Sequence, residues 1–149
     1  MKEEILSEIR RVLESLGRRD VLAAGLFGSL ARGDYDERSD IDIFIITGEE
    51  MEIKEQDKLY YAFSELRRKF GRDTTVLIYD IKSLKRVPSW QTLNMIKDSI
   101  FAYDVANIRE IFKKILEEAE KHGVFYDEKE KIFKLRRQGR VSFSLEDGL

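Results

Sequence analysis

Apolar side chains at Ile5, Leu6, Ile9, Val12, Leu13 and Leu16 follow the i, i+3, i+4 spacing of one helical stripe. This predicts a helix over residues 2–16, with Gly17 placed to end it. Residues 21–27 form a short apolar run that fits a buried strand leading into Gly28-Ser29, followed by a brief helical turn at 30–32 and a polar loop at 33–39. Residues 40–47 read as a second strand. Ile41, Ile43 and Ile45 lie on one face, and Asp40, Asp42, Phe44 and Ile46 on the other. From Phe44 onward both faces are apolar, which marks a central strand covered on both sides.

Farther along, residues 50–70 predict one helix with Leu59, Phe63, Leu66 and Phe70 inward, closed by Gly71. The β-branched run 74–79 reads as a strand, and Pro88 breaks the loop after it. A short helix is expected over 90–98, a strand over 99–103, and a helix over 105–121 through Ile108, Ile111, Phe112, Ile115 and Ala119, ended by Gly123. Residues 124–126 and 131–135 flank 127–130 in a hairpin-like pattern. There is no internal repeat. The order of elements predicts an α+β (mixed α/β) domain with about four core strands.

Composition narrows the function classes. The 149 residues suit one domain. Charged residues reach 38%, yet 27 Lys+Arg oppose 29 Asp+Glu, so attraction to nucleic acid or an anionic membrane would have to be local. No apolar run is long enough to span a bilayer, and the acidic start, Met1-Lys2-Glu3-Glu4, is unlike a signal peptide, so a cytoplasmic location is expected. Without Cys, and with one His, thiol and zinc chemistry are poor prospects, and carboxylates become the expected metal ligands. Five Asn+Gln among many Lys, Arg and Glu suggest a thermophilic source.

The informative stretch is Gly28-Ser29-Leu30-Ala31-Arg32-Gly33, continuing through Ser39 to Asp40-Ile41-Asp42. With a period of two, Asp40 and Asp42 project from the same face of a strand, about 7 Å apart along the backbone. Two neighbouring carboxylates repel, and a divalent cation offsets that cost. Oxygen-only ligands select Mg²⁺ or Mn²⁺. Gly28-Ser29 lies where a strand turns into a helical segment, so free N–H groups and a hydroxyl can meet a phosphate, with Arg32 alongside. Such a turn beside a carboxylate pair is the equipment for metal-assisted transfer of a nucleotide from a triphosphate.

Gly28-Ser29, ten residues, then Asp40-Ile41-Asp42 resembles the motif of the DNA polymerase beta-like nucleotidyltransferase superfamily, and most closely that of its small "minimal nucleotidyltransferases". The resemblance covers residues 5–103. It implies a nucleotidyltransferase domain at 1–103, extended at 104–149 by a helix and a hairpin or tail of the same domain, with a mixed sheet backed by helices. It further implies that Ser29, with Gly28 and Arg32, contacts the triphosphate of an NTP, expected to be ATP, while Asp40 and Asp42 bind two metals. Relatives adenylylate proteins, RNA ends or small molecules, and some silence a helical HEPN toxin as antitoxins. The family usually has a third carboxylate near the position of Thr75. Asp73, two residues earlier and on the same face, is the candidate to replace it.

Two functions follow from this resemblance. One is Mg²⁺-dependent transfer of AMP to a hydroxyl, with a partner protein as the preferred acceptor. The other is an antitoxin-like binding protein, weak or inactive in catalysis, that occludes its partner. A third, RNA binding, would use six basic residues between Lys129 and Arg140 (Lys129, Lys131, Lys134, Arg136, Arg137, Arg140) with Phe133 and Phe143, although a solvated hairpin and tail explains them as well. Arg67-Arg68-Lys69 reads as the wet face of a helix, Trp90 as packing, and His122 as a cation at a helix C-terminus. The stripe over 105–121 is broad enough to cover either the core or the second subunit of a homodimer.

Overall fold

The computed structural model describes residues 1–86 and 89–135. Helix α1 (Lys2–Leu16) leads to strand β1 (Val21–Phe27), the short α2 (Gly28–Arg32) and β2 (Ile41–Thr47). Then come α3 (Ile53–Ser64), α4 (Leu66–Phe70), β3 (Thr74–Asp80), α5 (Ile81–Arg86) and α6 (Trp90–Asp98). The chain continues through β4 (Ile100–Asp104), α7 (Ile108–Lys121) and a hairpin of β5 (Val124–Asp127) and β6 (Ile132–Leu135). Four strands form one sheet in the order β3-β2-β1-β4, with β1 antiparallel to β2 and β4, and β2 parallel to β3. This is the mixed α/β architecture that the order of apolar runs predicts.

The alternation along β2 divides the core. Ile41, Ile43 and Ile45 join Ile5, Ile9, Leu59 and Phe63 beneath α1 and α3. Phe44 and Ile46 join Leu93, Ile96, Ile108, Phe112 and Ile115 beneath α6 and α7. The rings of Phe44, Phe101 and Phe112 meet with centroids 5.1–5.5 Å apart. Gly25 makes this layer possible, because a Cβ there would collide with the Ile100 carbonyl and the Phe44 ring. The covering of β2 on both faces is what its apolar alternation required.

Several boundaries depart from expectation. The helix expected over 50–70 is two helices, α3 and α4, interrupted at Glu65, and residues 50–52 lie outside it. Helix α5, six residues long, was not anticipated. Helix α7 starts at Ile108 rather than Val105 because the Asp104 carboxylate accepts the N–H groups of Ile108 (2.8 Å) and Arg109 (3.1 Å), fixing its first turn. The N–H of Val105 is meanwhile committed to the carbonyl of Leu22. Of the basic C-terminal cluster, Arg136, Arg137, Arg140 and Phe143 lie outside the described residues, as does Pro88. Among the described residues no helix is long and apolar enough to cross a membrane.

Candidate functional site

The site stands at the end of the sheet where β1 runs out and β2 begins. Register pairs Phe27 with Asp42 across the antiparallel ladder, and Asp42 with Thr75 across the parallel one. The turn into α2 therefore lies beside the first residues of β2. Gly28 opens α2 with φ +73°, a conformation costly for any residue with a side chain. The space is closed as well, since a Cβ at Gly28 would collide with Oδ2 of Asp42. Ser29 follows, half-buried, in the first turn of α2.

Asp40 is exposed at the mouth, one residue before β2, and its carboxylate accepts a long 3.4 Å bond from the Thr75 hydroxyl. Asp42 is half-buried. Burial first, and the Asp40 charge second, push its carboxyl up to about 6, against a smaller lowering by Arg32. Among the described residues no N–H or hydroxyl bond offsets the burial of Asp42. Its carboxylate is thus a hard oxygen donor in want of a positive charge. Two of the predicted residues, Asp40 and Asp42, are brought together with Gly28-Ser29 as the motif implied.

Arg32 lies one turn farther along α2, but its guanidinium is engaged. Nη1 donates to Asp98 at 2.6 Å, and Nε approaches both oxygens of Asp34 at 3.2 Å. Asp34 also receives Lys131 of the hairpin at 2.7 Å. Asp98, at the end of α6, is largely buried, and burial raises its carboxyl in spite of the Arg32 bond. This partner of Arg32 was missed in the sequence. It lies 66 residues away, and nothing local marks it.

Asp73 does not join the pair. Strand β3 begins at Thr74, so Asp73 belongs to the preceding loop and is not held to the face of Thr75. Its carboxylate lies 3.2 Å from Nε of Arg67, and its side chain is 65% exposed. Only its backbone carbonyl reaches the site, accepting the N–H of Ile41 at 2.8 Å. Among the described residues no group of three Asp, Glu, His or Cys side chains is arranged to hold a metal ion, so Asp40 and Asp42 stand without a third carboxylate.

The remaining candidates stay outside the site. Arg67 and Lys69 pair with Asp73 and Glu8 on the surface. Trp90 is 47% exposed at the start of α6, where packing was expected. His122 places its ring nitrogen Nδ1 2.9 Å from the Glu118 carbonyl at the end of α7. The stripe of α7 covers the core, through Ile108, Phe112, Ile115 and Ala119.

Comparison with known proteins agrees with this geometry. Residues 6–141 match the nucleotidyltransferase domain family. Two proteins of Methanocaldococcus jannaschii, each named provisionally as a protein adenylyltransferase, are 34% and 36% identical over 76 residues. Those matches span 51% and 50% of this chain, and 77% and 78% of the relatives. Among solved structures, a chain of a toxin–antitoxin complex with AMP-PNP superposes with a TM-score of 0.52 at 18% identity, covering 78% of this chain and 93% of that one. A chain of the toxin–antitoxin MntA-HpeT gives 0.52 at 16% identity over the same shares. The structural likenesses establish the fold. The chain belongs to the nucleotidyltransferase domain family and is a nucleotidyltransferase.

Proposed function

We propose that this nucleotidyltransferase moves AMP from ATP to a hydroxyl on a partner protein, with Asp40 and Asp42 holding Mg²⁺ or Mn²⁺. The observation that carries the reading is the contact between Gly28 and Asp42. The turn suited to phosphate and the carboxylate suited to a cation share one point in space, with no room for a side chain between them. The provisional names of the relatives and the AMP-PNP in one fold neighbour agree with adenylyl transfer from ATP.

The donor set fits a hard divalent cation: a half-buried carboxylate without hydrogen bonds among the described residues, a second carboxylate beside it, and the Thr75 hydroxyl behind that. When bound, such an ion neutralises phosphate oxygens and so favours attack at the α-phosphorus and departure of pyrophosphate. Gly28 lets the backbone approach the triphosphate closely, and the Ser29 hydroxyl donates to it. Arg32, braced by Asp34 and Asp98, adds positive potential beside the same turn without leaving its partners. Thr75 accepts no proton at neutral pH. The acceptor hydroxyl therefore loses its proton to solvent or to a group on the partner.

The absence of a third carboxylate among the described residues favours a second reading. In it, the chain retains nucleotide binding but transfers slowly or not at all, and acts on its partner by occlusion. In either case the partner class we favour is a HEPN-type toxin, in keeping with the resemblance and with the toxin–antitoxin fold neighbours.

Calorimetric titration with each NTP, with and without Mg²⁺, tests the site, and the same titration of Asp42→Ala is its control. Saturable ATP binding that needs both Mg²⁺ and Asp42 supports the site, which both readings share. Labelled ATP and a HEPN partner then read the transfer itself. Failure of every NTP to bind at millimolar concentration refutes independent catalysis and retained nucleotide binding alike, and leaves occlusion alone.

A further inference from the structure

Asp40 sits outside β2, at the end of a loop that is exposed from Gly33 to Arg38, yet the proposed function requires its carboxylate to stay beside Asp42. Order in such a stretch must come from contacts that offset its conformational entropy, about 1–2 kcal/mol per residue. Internal turns supply part of it. The Asp36 N–H donates to the Ser39 hydroxyl at 3.0 Å, and the Arg38 N–H donates to the Asp36 carboxylate at 2.8 Å. These bonds shape the loop without attaching it to the sheet.

The Asp34 ion pairs with Arg32 and Lys131 hold the start of the loop, the Thr75 hydroxyl meets Asp40 at 3.4 Å, and Arg72 ties down the stretch between. Its Nη1 donates to two loop carbonyls, Asp36 at 2.7 Å and Ser39 at 2.8 Å. Its guanidinium lies over the Tyr35 ring, 5.2 Å from the centroid. The next residue, Asp73, accepts the N–H of Ile41 through its carbonyl at 2.8 Å. Asp40 is thus bracketed: the carbonyl before it is held by the Arg72 side chain, and the N–H after it by the Asp73 backbone. A guanidinium bonded to carbonyls and stacked on an aromatic ring is an arrangement that lysine reproduces poorly.

We infer that Arg72 is a positioning residue, which fixes the Asp40 carboxylate for metal-bound nucleotide by clamping the loop that carries it. The inference rests on the functional reading above and deepens it. Arg72 acts through Asp40 and not on the nucleotide, so its loss weakens the metal-dependent part of binding only.

The test compares wild type with Arg72→Met and Arg72→Lys, in two measurements on the full chain. Amide hydrogen exchange without ligand reads the clamp, and calorimetry with ATP, in Mg²⁺ and in EDTA, reads its consequence. For Arg72→Met we expect faster exchange over residues 35–41, MgATP affinity lower by about tenfold as for other supporting contacts at metal sites, and unchanged affinity for metal-free ATP. Arg72→Lys keeps a donor but loses the planar stack, falls between the two, and serves alone if the Met variant does not fold. Unchanged exchange, unchanged MgATP affinity, or equal losses with and without Mg²⁺ each overturn the inference. A wild type that shows no Mg²⁺-dependent ATP binding overturns the functional reading instead, and the exchange measurement tells the two failures apart.

Discussion

The carboxylate of Asp42 occupies the space in which a side chain at Gly28 would stand. That contact joins the end of β1 to the start of β2, and it makes one glycine answerable both to its own backbone, at φ +73°, and to a neighbouring strand. The left-handed conformation alone would tolerate alanine at a cost of about 1–2 kcal/mol. The collision adds to it, and the alanine methyl must push the carboxylate away from the turn. Gly28→Ala should therefore fold with reduced stability and bind MgATP at least about tenfold more weakly. A variant with wild-type affinity would show that the contact has no part in the site.

Asp42 should limit the stability of the ligand-free protein. Its carboxyl is raised to about 6 from an ordinary value of 3.8, so the folded state holds the proton more tightly than the unfolded state does. The resulting penalty is full above pH 6 and is relieved as pH falls from about 6 toward 4. Since the group is only half-buried, solvent screening reduces the penalty to about 1 kcal/mol. Asp42→Asn should raise Tm at pH 7 by a few degrees, show little gain at pH 4, and lose Mg²⁺-dependent nucleotide binding. Thermal melts at the two pH values check the sign, and a Tm gain that is the same at both would contradict it.

Removing Arg32 leaves Asp98 largely buried without its closest cation. Arg32→Gln should cost about 2 kcal/mol near neutral pH. Adding Asp98→Asn to it should restore most of that loss, because the uncompensated charge is gone. Urea denaturation of the two single variants and the double variant measures the coupling. Additive losses would mean that the ion pair, at 2.6 Å, contributes nothing specific.

Gly25 is a structural counterpart of Gly28. Its missing Cβ admits the Ile100 carbonyl and the Phe44 ring, and backbone cannot move aside as a flexible side chain can. Gly25→Ala should destabilise the fold by about 3 kcal/mol through overpacking between β1 and β4. Nucleotide binding of the fraction that remains folded should be intact.

Most of the fold was legible because β2 states its own environment. The alternation of Ile41, Ile43 and Ile45 against Phe44 and Ile46 specifies a strand covered on both sides, and the two halves of the core follow it. What escaped is short or long-range. The interruption at Glu65 involves no Gly or Pro, and α5 follows β3 directly with only Leu84 buried. In the candidate site, the proximity of Gly28, Ser29, Asp40 and Asp42 is readable because local chain brings them together. Asp73 precedes the first residue of β3, so strand parity does not hold its side chain to the face of Thr75, and its carboxylate turns to Arg67. The partners of Arg32 and the hold of Arg72 on the loop exist only once distant segments meet.

The sheet topology also bears on the order in which the chain assembles. Phe27 and Asp42, which bring the two parts of the site together, are fifteen residues apart, whereas Leu26 and Ile100, paired on the other side of β1, are seventy-four apart. Each doubling of a closed loop costs about 0.6 kcal/mol of chain entropy, so the second closure is dearer by about 1.4 kcal/mol. The β1–α2–β2 unit is accordingly the easier part of the sheet to nucleate, and it is synthesised before β3 and β4. The proposed nucleotide turn and the carboxylate pair thus belong to the most local strand pairing of this sheet, and the strands and helices that follow are added to it.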